Sequence, residues 1–329
     1  MSLIHPDNWI WDFWFAFDPP NYHIFFLQAP RSLQDEKERH FNVSIGHAVS
    51  QDLQHWSFLP DAFHPASGDP EAWDNYTSWT GSIFQHAGMW YLFYTGGCRA
   101  EQGLIQRIGL AFSSDLSHWE RYANNPVVEL DTRWYETLNL DHWHDQAWRD
   151  PWVFRDSQKD QFRMLITARA NHGPYDGRGV IGQAVSHNLL DWEVLPPLTE
   201  PGPFGHMEVP QLIEHQQHCY LLFSTPGTCF SQRSKELLKL APQTGTFYFR
   251  DDSNGEHFSM GSVLPLLADT TGTWYSAKLV RTFNGEWRCL AVQSYKEDGT
   301  FIGALSDAFP VSFSHDGRIQ IQGYRELDI

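Results

Sequence analysis

Positive charge is scarce in this chain: 23 Lys and Arg face 40 Asp and Glu over 329 residues, for a formal net charge of −17. Nucleic acid and anionic membranes recruit proteins through clustered cations, so neither is expected as a partner. Cysteine is sparse too. Cys98, Cys219, Cys229 and Cys289 stand far apart with no Cys-x-x-Cys pair, the distribution of isolated reduced thiols and not of a disulfide framework or a zinc site. No run approaches the ~18 apolar residues of a membrane span. The start, Met1-Ser2-Leu3-Ile4-His5-Pro6-Asp7, lacks the basic segment and apolar core of a signal peptide, and a cytoplasmic location is expected. Helix signals are few, Ser231 to Leu240 being a stretch that could form a short helix. What is plentiful is aromatic: 15% of residues, with 15 Trp. Rings without a matching set of cations suit a neutral polar ligand such as a sugar, and equally the core of a β-protein.

An internal repeat organises the chain. Gly46 to Trp56, Gly109 to Trp119 and Gly182 to Trp192 share Gly-x-Ala-x-Ser-x-Asp/Asn-Leu-x-x-Trp, which reads as a strand entering a tight Asp/Asn turn and a strand opened by Trp. Apolar hairpins interleave with it: Asp12 into Tyr22–Gln28, Gly81 into Met89–Thr95, Trp152–Phe154 into Phe162–Thr167, Val209–Ile213 into Cys219–Ser224, and Ala277–Val280 through Asn284-Gly285 into Trp287–Gln293. Five hairpins, each followed by a two-strand unit at a period of roughly 60–70 residues, predict an all-β, five-bladed β-propeller. Gly96 to Gly103 and Asn171 to Gly179 read as surface loops. With no linker or composition break, residues 1–329 are expected to form one domain.

Asp12 sits in Asn8-Trp9-Ile10-Trp11-Asp12-Phe13-Trp14-Phe15, an acid among bulky rings. On the repeat frame Asp12, Asp150 and Glu208 open hairpins one, three and four, with Gly81 and Ser276 at the matching points of the other two. The opening strand of a blade lies nearest the propeller axis, so the three acids are expected to converge on one end of the channel. Glycoside cleavage needs such a set. One carboxylate attacks the anomeric carbon and a second, kept protonated, protonates the leaving oxygen, at roughly 5–5.5 Å separation for retention. Asp150, adjacent to Arg149, is expected to stay ionised and hold sugar hydroxyls. His206, two residues before Glu208, points to the same side of a strand. The plainer readings are a turn acid or helix cap for Asp12, an inter-blade ion pair for Arg149 and Asp150, and an edge-strand start for Glu208.

The residues also carry a resemblance. Trp9-Ile10-Trp11-Asp12 resembles the nucleophile motif of glycoside hydrolase family 32 (Trp-Met-Asn-Asp-Pro), and Trp11-Asp12-Phe13-Trp14 is similar to the Trp-Asp-x-Trp of family 68 levansucrases. Trp79-Thr80-Gly81-Ser82 resembles Trp-Ser-Gly-Ser, Arg149-Asp150-Pro151 matches Arg-Asp-Pro, and Glu208-Val209-Pro210 stands where Glu-x-Pro occurs. Tyr275-Ser276 resembles a levansucrase Tyr-Ser, and Gly303-Ala304-Leu305-Ser306 a family 32 ending. The resemblance implies a β-fructofuranosidase-like enzyme, without a cofactor, acting on sucrose or short fructosides through a covalent fructosyl intermediate. It implies Asp12 as nucleophile, Glu208 as acid/base and Asp150 with Arg149 as holders of fructosyl hydroxyls. Trp11, Trp79, Thr80, His206 and Tyr275 would complete the sugar site. Phe13 replaces the family 32 proline, Val209 stands where levansucrases carry arginine, and the usual C-terminal β-sandwich has no room. These departures leave linkage, chain length and acceptor open.

Two alternatives stand beside this reading: a related five-bladed glycosidase acting on arabinosides or xylosides, and a propeller that binds sugar without catalysis. Asp141-His142-Trp143-His144-Asp145 invites a metal reading, but i, i+2 histidines are a weak ligand pattern. A rim loop against the leaving group is the expectation, with no metal assigned.

Overall fold

Alternating apolar runs closed by Gly, Asn and Asp turns form antiparallel strands, and in the computed structural model these assemble into five sheets. Residues 2–156, 158–238, 240–251, 255–256 and 258–323 are described. Blade one holds β1 (Asn8–Asp18), β2 (Asn21–Pro30), β3 (Ser44–Ser50) and β4 (Ser57–Phe63), and blade two β5 (Thr77–His86), β6 (Met89–Gly97), β7 (Arg107–Ser113) and β8 (Glu120–Arg121). Blade three holds β9 (Trp148–Asp156), β10 (Gln161–Arg169), β11 (Gly179–Ser186) and β12 (Glu193–Leu195), and blade four β13 (Glu208–His215), β14 (His218–Thr225), β15 (Thr244–Asp251) and β16 (Leu264–Asp269). Blade five starts with β17 (Trp274–Arg281) and β18 (Trp287–Tyr295). Its third position is split between β19 (Phe301–Leu305) and β20 (Phe309–Phe313), which pair with opposite ends of β18, and β21 (Ile319–Ile321) lies outside β20. The expected helix is shorter than its sequence signal, Ser234–Leu238. The five-bladed propeller is thus as the repeat predicted. Blade five meets blade one through a two-bond bridge, Leu3 N–H to Leu305 O at 3.1 Å and Leu305 N–H to Leu3 O at 3.0 Å.

The repeat has a physical meaning. In each copy a serine hydroxyl accepts the backbone N–H of the following leucine (Ser50–Leu53 2.9 Å, Ser113–Leu116 2.8 Å, Ser186–Leu189 2.9 Å). The Asp or Asn accepts the next two N–H groups, as Asp52 does from Gln54 and His55 at 2.8 Å each. Leu53, Leu116 and Leu189 are thereby held left-handed, at φ 60°, 64° and 67°. They are buried, and that burial offsets the strain. The terminal tryptophan wedges the preceding blade: Trp119 lies edge-on to Phe25 of β2 at 6.0 Å, and Trp192 to Phe93 of β6 at 5.5 Å. Blades diverge outward, and rings of this size fill the widening gap.

Every inner strand shifts register at the same depth, between Trp11 and Phe13, Trp79 and Gly81, opposite Leu165 and Thr167, between Glu208 and Gln211, and between Tyr275 and Lys278. The bulged residues are Asp12, Thr80, Asp150, Val209 and Ser276. This corrects the frame drawn from the hairpins by one residue in two blades: Thr80, not Gly81, matches Asp12, and Glu208 stands one step before its bulge, level with Trp11, Trp79, Arg149 and Tyr275. Apolar alternation cannot register a bulge, and a one-residue slip exchanges the faces.

Three bulges are left-handed, Asp150 at φ 58°, Val209 at 52° and Ser276 at 48°. In each of these seams a hydroxyl from the second strand of the preceding blade accepts the bulged N–H: Thr95 from Asp150 at 2.9 Å, Thr167 from Val209 at 3.1 Å, Ser224 from Ser276 at 3.0 Å. At the other two seams the equivalent positions are Val292 and Leu27, which have no hydroxyl, and Asp12 and Thr80 are not left-handed.

Next to the second bulge, a Cβ on Gly81 would come within 2.2 Å of the Phe93 carbonyl oxygen. Gly81→Ala is therefore expected to lose about 2 kcal/mol or more of stability through forced overpacking; an unchanged urea midpoint would show that the β5–β6 backbone yields freely.

Candidate active site

The bulges stack two rings of side chains at one end of the axis. The upper ring is Trp11, Trp79, Arg149, Glu208 and Tyr275, and the lower is Asp12, Thr80, Asp150, Val209 and Ser276. All of the upper ring, with Asp12, Thr80 and Asp150, lines a cavity of about 620 Å³. The three predicted acids therefore meet in one pocket.

Asp12 is held from both sides. Thr80 of blade two donates its hydroxyl to Oδ2 at 2.7 Å and Ser276 of blade five donates to Oδ1 at 2.6 Å. Burial raises the Asp12 carboxyl above its ordinary range; the two hydroxyls oppose the shift and the charge of Glu208 adds to it. Asp150 is buried, with Oδ2 accepting the Thr167 hydroxyl at 2.8 Å and the Val209 N–H at 3.1 Å. Burial raises its carboxyl as well, against the pull of Arg149 and with repulsion from Asp12 and Glu208.

Glu208 is the opposite case. Arg149 Nη2 donates to Oε1 at 2.8 Å and the Tyr275 hydroxyl to Oε2 at 2.5 Å. Burial alone would raise Glu208, but the charge that His206 carries at low pH, the charge of Arg149 and these hydrogen bonds outweigh it and take the carboxyl down to about 2. His206 lies 3.4 Å from Oε2, and burial pushes it down to about 4. The imidazole is then neutral near pH 7, which leaves Arg149 and Tyr275 to hold the anion.

Three expectations are reversed here. Asp150, expected to stay ionised beside Arg149, is pushed up to about 7 by burial. Arg149 does not chiefly serve Asp150. Its Nε is 3.8 Å from that carboxylate, while Nη1 donates to Gln106 Oε1 and Asp145 Oδ2 at 3.1 Å each and Nη2 to Glu208. Neighbours on a strand point apart, so adjacency in sequence did not make the pair. Glu208, expected to be kept protonated, is held ionised. His206 shares the side of Glu208 as predicted, but it touches Glu208 and Arg149 from behind and does not line the cavity.

The wall beside Trp11 is a 3-10 turn, Glu36–Phe41. Arg39 lies over Trp11 at 5.5 Å and over Phe301 at 4.3 Å, and the His40 carbonyl accepts the Trp79 indole N–H at 2.8 Å. These residues, with Tyr295 and Phe301, were not found from the sequence: Arg39 and His40 follow the charged run Asp35-Glu36-Lys37-Glu38, whose composition carries no signal of a buried site. Of the His/Asp cluster, His144 and Asp145 face the cavity, while His142 turns to Glu136 at 2.9 Å.

The family model described as Glycosyl hydrolases family 32 N-terminal domain matches residues 13–291. The chain belongs to glycosyl hydrolase family 32. It is 34% identical over 113 residues to an acid beta-fructofuranosidase of Capsicum annuum, covering 32% of this chain and 16% of that protein. To a sucrose-6-phosphate hydrolase of Bacillus subtilis it is 28% identical over 217 residues, covering 63% and 39%. The chain thus spans well under half the length of these relatives. An inulosucrase from Halalkalicoccus jeotgali bound to kestose superposes with a TM-score of 0.78 at 21% identity, over 97% of this chain and 88% of that one. At that identity the likeness is one of fold.

Within this family 32 propeller the acids cost stability. A carboxyl raised in the fold favours the folded state below its unfolded pKa, and that advantage is lost as pH rises through the folded value. Asp12→Asn removes a buried charge. Its melting temperature is expected to exceed the parent's, with a gap that widens as pH rises from below the ordinary carboxylate range toward neutrality; a gap constant across that whole span would mean that Asp12 is not raised.

Proposed function

We propose that this family 32 chain is a retaining glycoside hydrolase that releases fructose from sucrose or short β-fructosides. The observation that carries the reading is the pair of opposed carboxylates in one cavity: Asp12, fixed through both oxygens by Thr80 and Ser276, and Glu208, tethered by Arg149 and Tyr275. Asp12 attacks the anomeric carbon of the fructosyl unit and forms an ester as the glycosidic bond breaks, while Glu208 gives its proton to the departing oxygen. Glu208 then takes a proton from water, or from the hydroxyl of a second sugar, which attacks the ester and restores Asp12. Asp150 accepts hydrogen bonds from fructosyl hydroxyls, Trp11 and Trp79 flank the ring, and His144 and Asp145 face the leaving group. The names of the relatives, a fructofuranosidase and a sucrose-6-phosphate hydrolase, support the substrate class.

The first step requires a proton on Glu208 and a charge on Asp12, whereas in the free site Glu208 is the stronger acid of the two. Fructosyl hydroxyls placed against Arg149 and Tyr275 draw those donors off Glu208, whose affinity for a proton then rises. Binding of the correct sugar thus sets the protonation that the chemistry needs.

Asp12→Ala and Glu208→Gln are each expected to reduce fructose release by about 10³-fold or more, assayed by hexose detection on sucrose, kestose, inulin and levan. A parent protein inert on all four would overturn the substrate class, and full activity in Asp12→Ala would overturn the assignment of the nucleophile. Tyr275→Phe removes a hydrogen bond to ionised Glu208 and raises that carboxyl, the lower-titrating of the two in the free site, so the acid limb of the kcat/KM profile is expected to move to higher pH; a limb that stays in place would mean that Tyr275 does not tune the acid.

A further inference from the structure

Below the two rings a third layer of inner-strand residues closes the floor of the site. Register places Trp14, Ser82, Trp152, Gln211 and Lys278 at this level, opposite Phe25, Phe93, Leu165, Leu222 and Leu290 of the second strands. Lys278 is the charged member and is 3% exposed. Its Nζ donates to the carbonyls of Val209 at 2.8 Å and Pro210 at 3.2 Å and lies 5.3 Å from the centre of the Trp152 ring. Among the described residues no carboxylate lies within ion-pair distance of it. A buried ammonium is costly without an anion to answer it. The bonds around Lys278 lead to two: Ser276, two residues earlier on β17, donates to Asp12, and the N–H of Val209 donates to Asp150.

We propose that Lys278 is a positioning residue for the nucleophile, the buried countercharge in the floor of the site that keeps Asp12 a carboxylate. Its reach into the blade-four bulge fixes the ammonium beneath the acids and leaves the cavity itself free for sugar. The other groups that bear on Asp12 are the Thr80 hydroxyl from β5, Asp150 and Arg149 from β9, Glu208 from β13, Tyr275 and Ser276 from β17, and Arg39 from the turn beside Trp11. Two are carboxylates that repel it, and Arg149 is taken up by Glu208 and Asp145. Burial pushes the Lys278 amine down to about 7, and the charges of Asp12 and Asp150 work against that loss.

The inference rests on the proposed fructoside cleavage for one of its two tests. Lys278→Gln keeps an N–H donor for the Val209 and Pro210 carbonyls and removes the charge. On whichever of sucrose, kestose, inulin or levan the parent cleaves, the basic limb of kcat/KM, which reports the higher-titrating Asp12 of the free site, is expected to move up by about one pH unit or more, with KM nearly unchanged and with Lys278→Arg restoring the limb. A folded Lys278→Gln protein with the parent's basic limb would overturn the proposal, since hydrogen bonding alone would then suffice. The second test needs neither substrate nor a stable Lys278→Gln. Melting temperatures at pH 6, where the Lys278 amine is protonated, are compared for the parent, Lys278→Met, Asp12→Asn and the double variant. Loss of the ammonium is expected to be much less damaging once Asp12 is neutral, and equal losses in both backgrounds would show a purely structural lysine. A parent inert on all four sugars would sink the activity reading while leaving this cycle to decide the role of Lys278.

Discussion

The site depends on one recurring contact: a hydroxyl on the second strand of a blade that accepts the N–H of the bulged residue on the next. A left-handed conformation at a non-glycine residue, β-branched Val209 most of all, costs about 1–3 kcal/mol. It persists because the clip supplies a partner for a donor that the bulge has turned out of its own ladder. Thr95, Thr167 and Ser224 thus do two things at once. They lock neighbouring blades together and set the angle at which Asp150, Glu208 and Tyr275 enter the cavity. Thr167 does more: its hydroxyl also donates to Asp150, so one oxygen ties the carboxylate of blade three to the bulge of blade four.

Upon that frame the charges are arranged at a cost. Four carboxylates, Asp12, Asp145, Asp150 and Glu208, share one pocket with Arg149 and, beneath it, Lys278. Arg149 is divided between Asp145 and Glu208, so burial and mutual repulsion fall chiefly on Asp12 and Asp150. Such a site is poised for proton movement, since none of its acids is both buried and fully neutralised. Stability forgone here is recovered in the seams between blades, where Trp14, Trp148, Tyr94 and Phe93 are almost wholly buried.

Much of this was legible in the sequence. Five apolar hairpins predicted five blades, and the three copies of Gly-x-Ala-x-Ser-x-Asp/Asn-Leu-x-x-Trp between them were legible because serine, acid and tryptophan each do a local job that spacing reveals. The three acids were found because inner strands begin at recurring points. What stayed hidden was whatever depends on bulges or on long-range charge. The level of Glu208 was off by a residue because a bulge leaves the apolar pattern intact. The partner of Arg149 was misjudged because adjacency says nothing of a carboxylate about 60 residues downstream that comes within reach only when the ring closes. Arg39 and His40 were unreadable because a short charged turn looks the same whether it faces solvent or a sugar. The departure at Phe13 does have a structural setting: the blade-one bulge skips one residue, where those of blades three to five skip two, and Phe13 returns at once to the ladder opposite Phe26.

The ring is closed by little backbone. Between blades five and one the ladder contributes the two bonds of the Leu3–Leu305 bridge, reinforced by Arg31 reaching the carbonyls of Ile302 and Gly303 at 3.0 and 3.2 Å. Across this same junction, which lacks a hydroxyl clip, Ser276 must find Asp12. Were the propeller to part on warming where blades five and one meet, the nucleophile would lose one of its two tethers while the remaining blades stayed folded. Heat inactivation would then run ahead of melting, and a covalent staple near residues 3 and 305 would protect turnover more than it protects the fold.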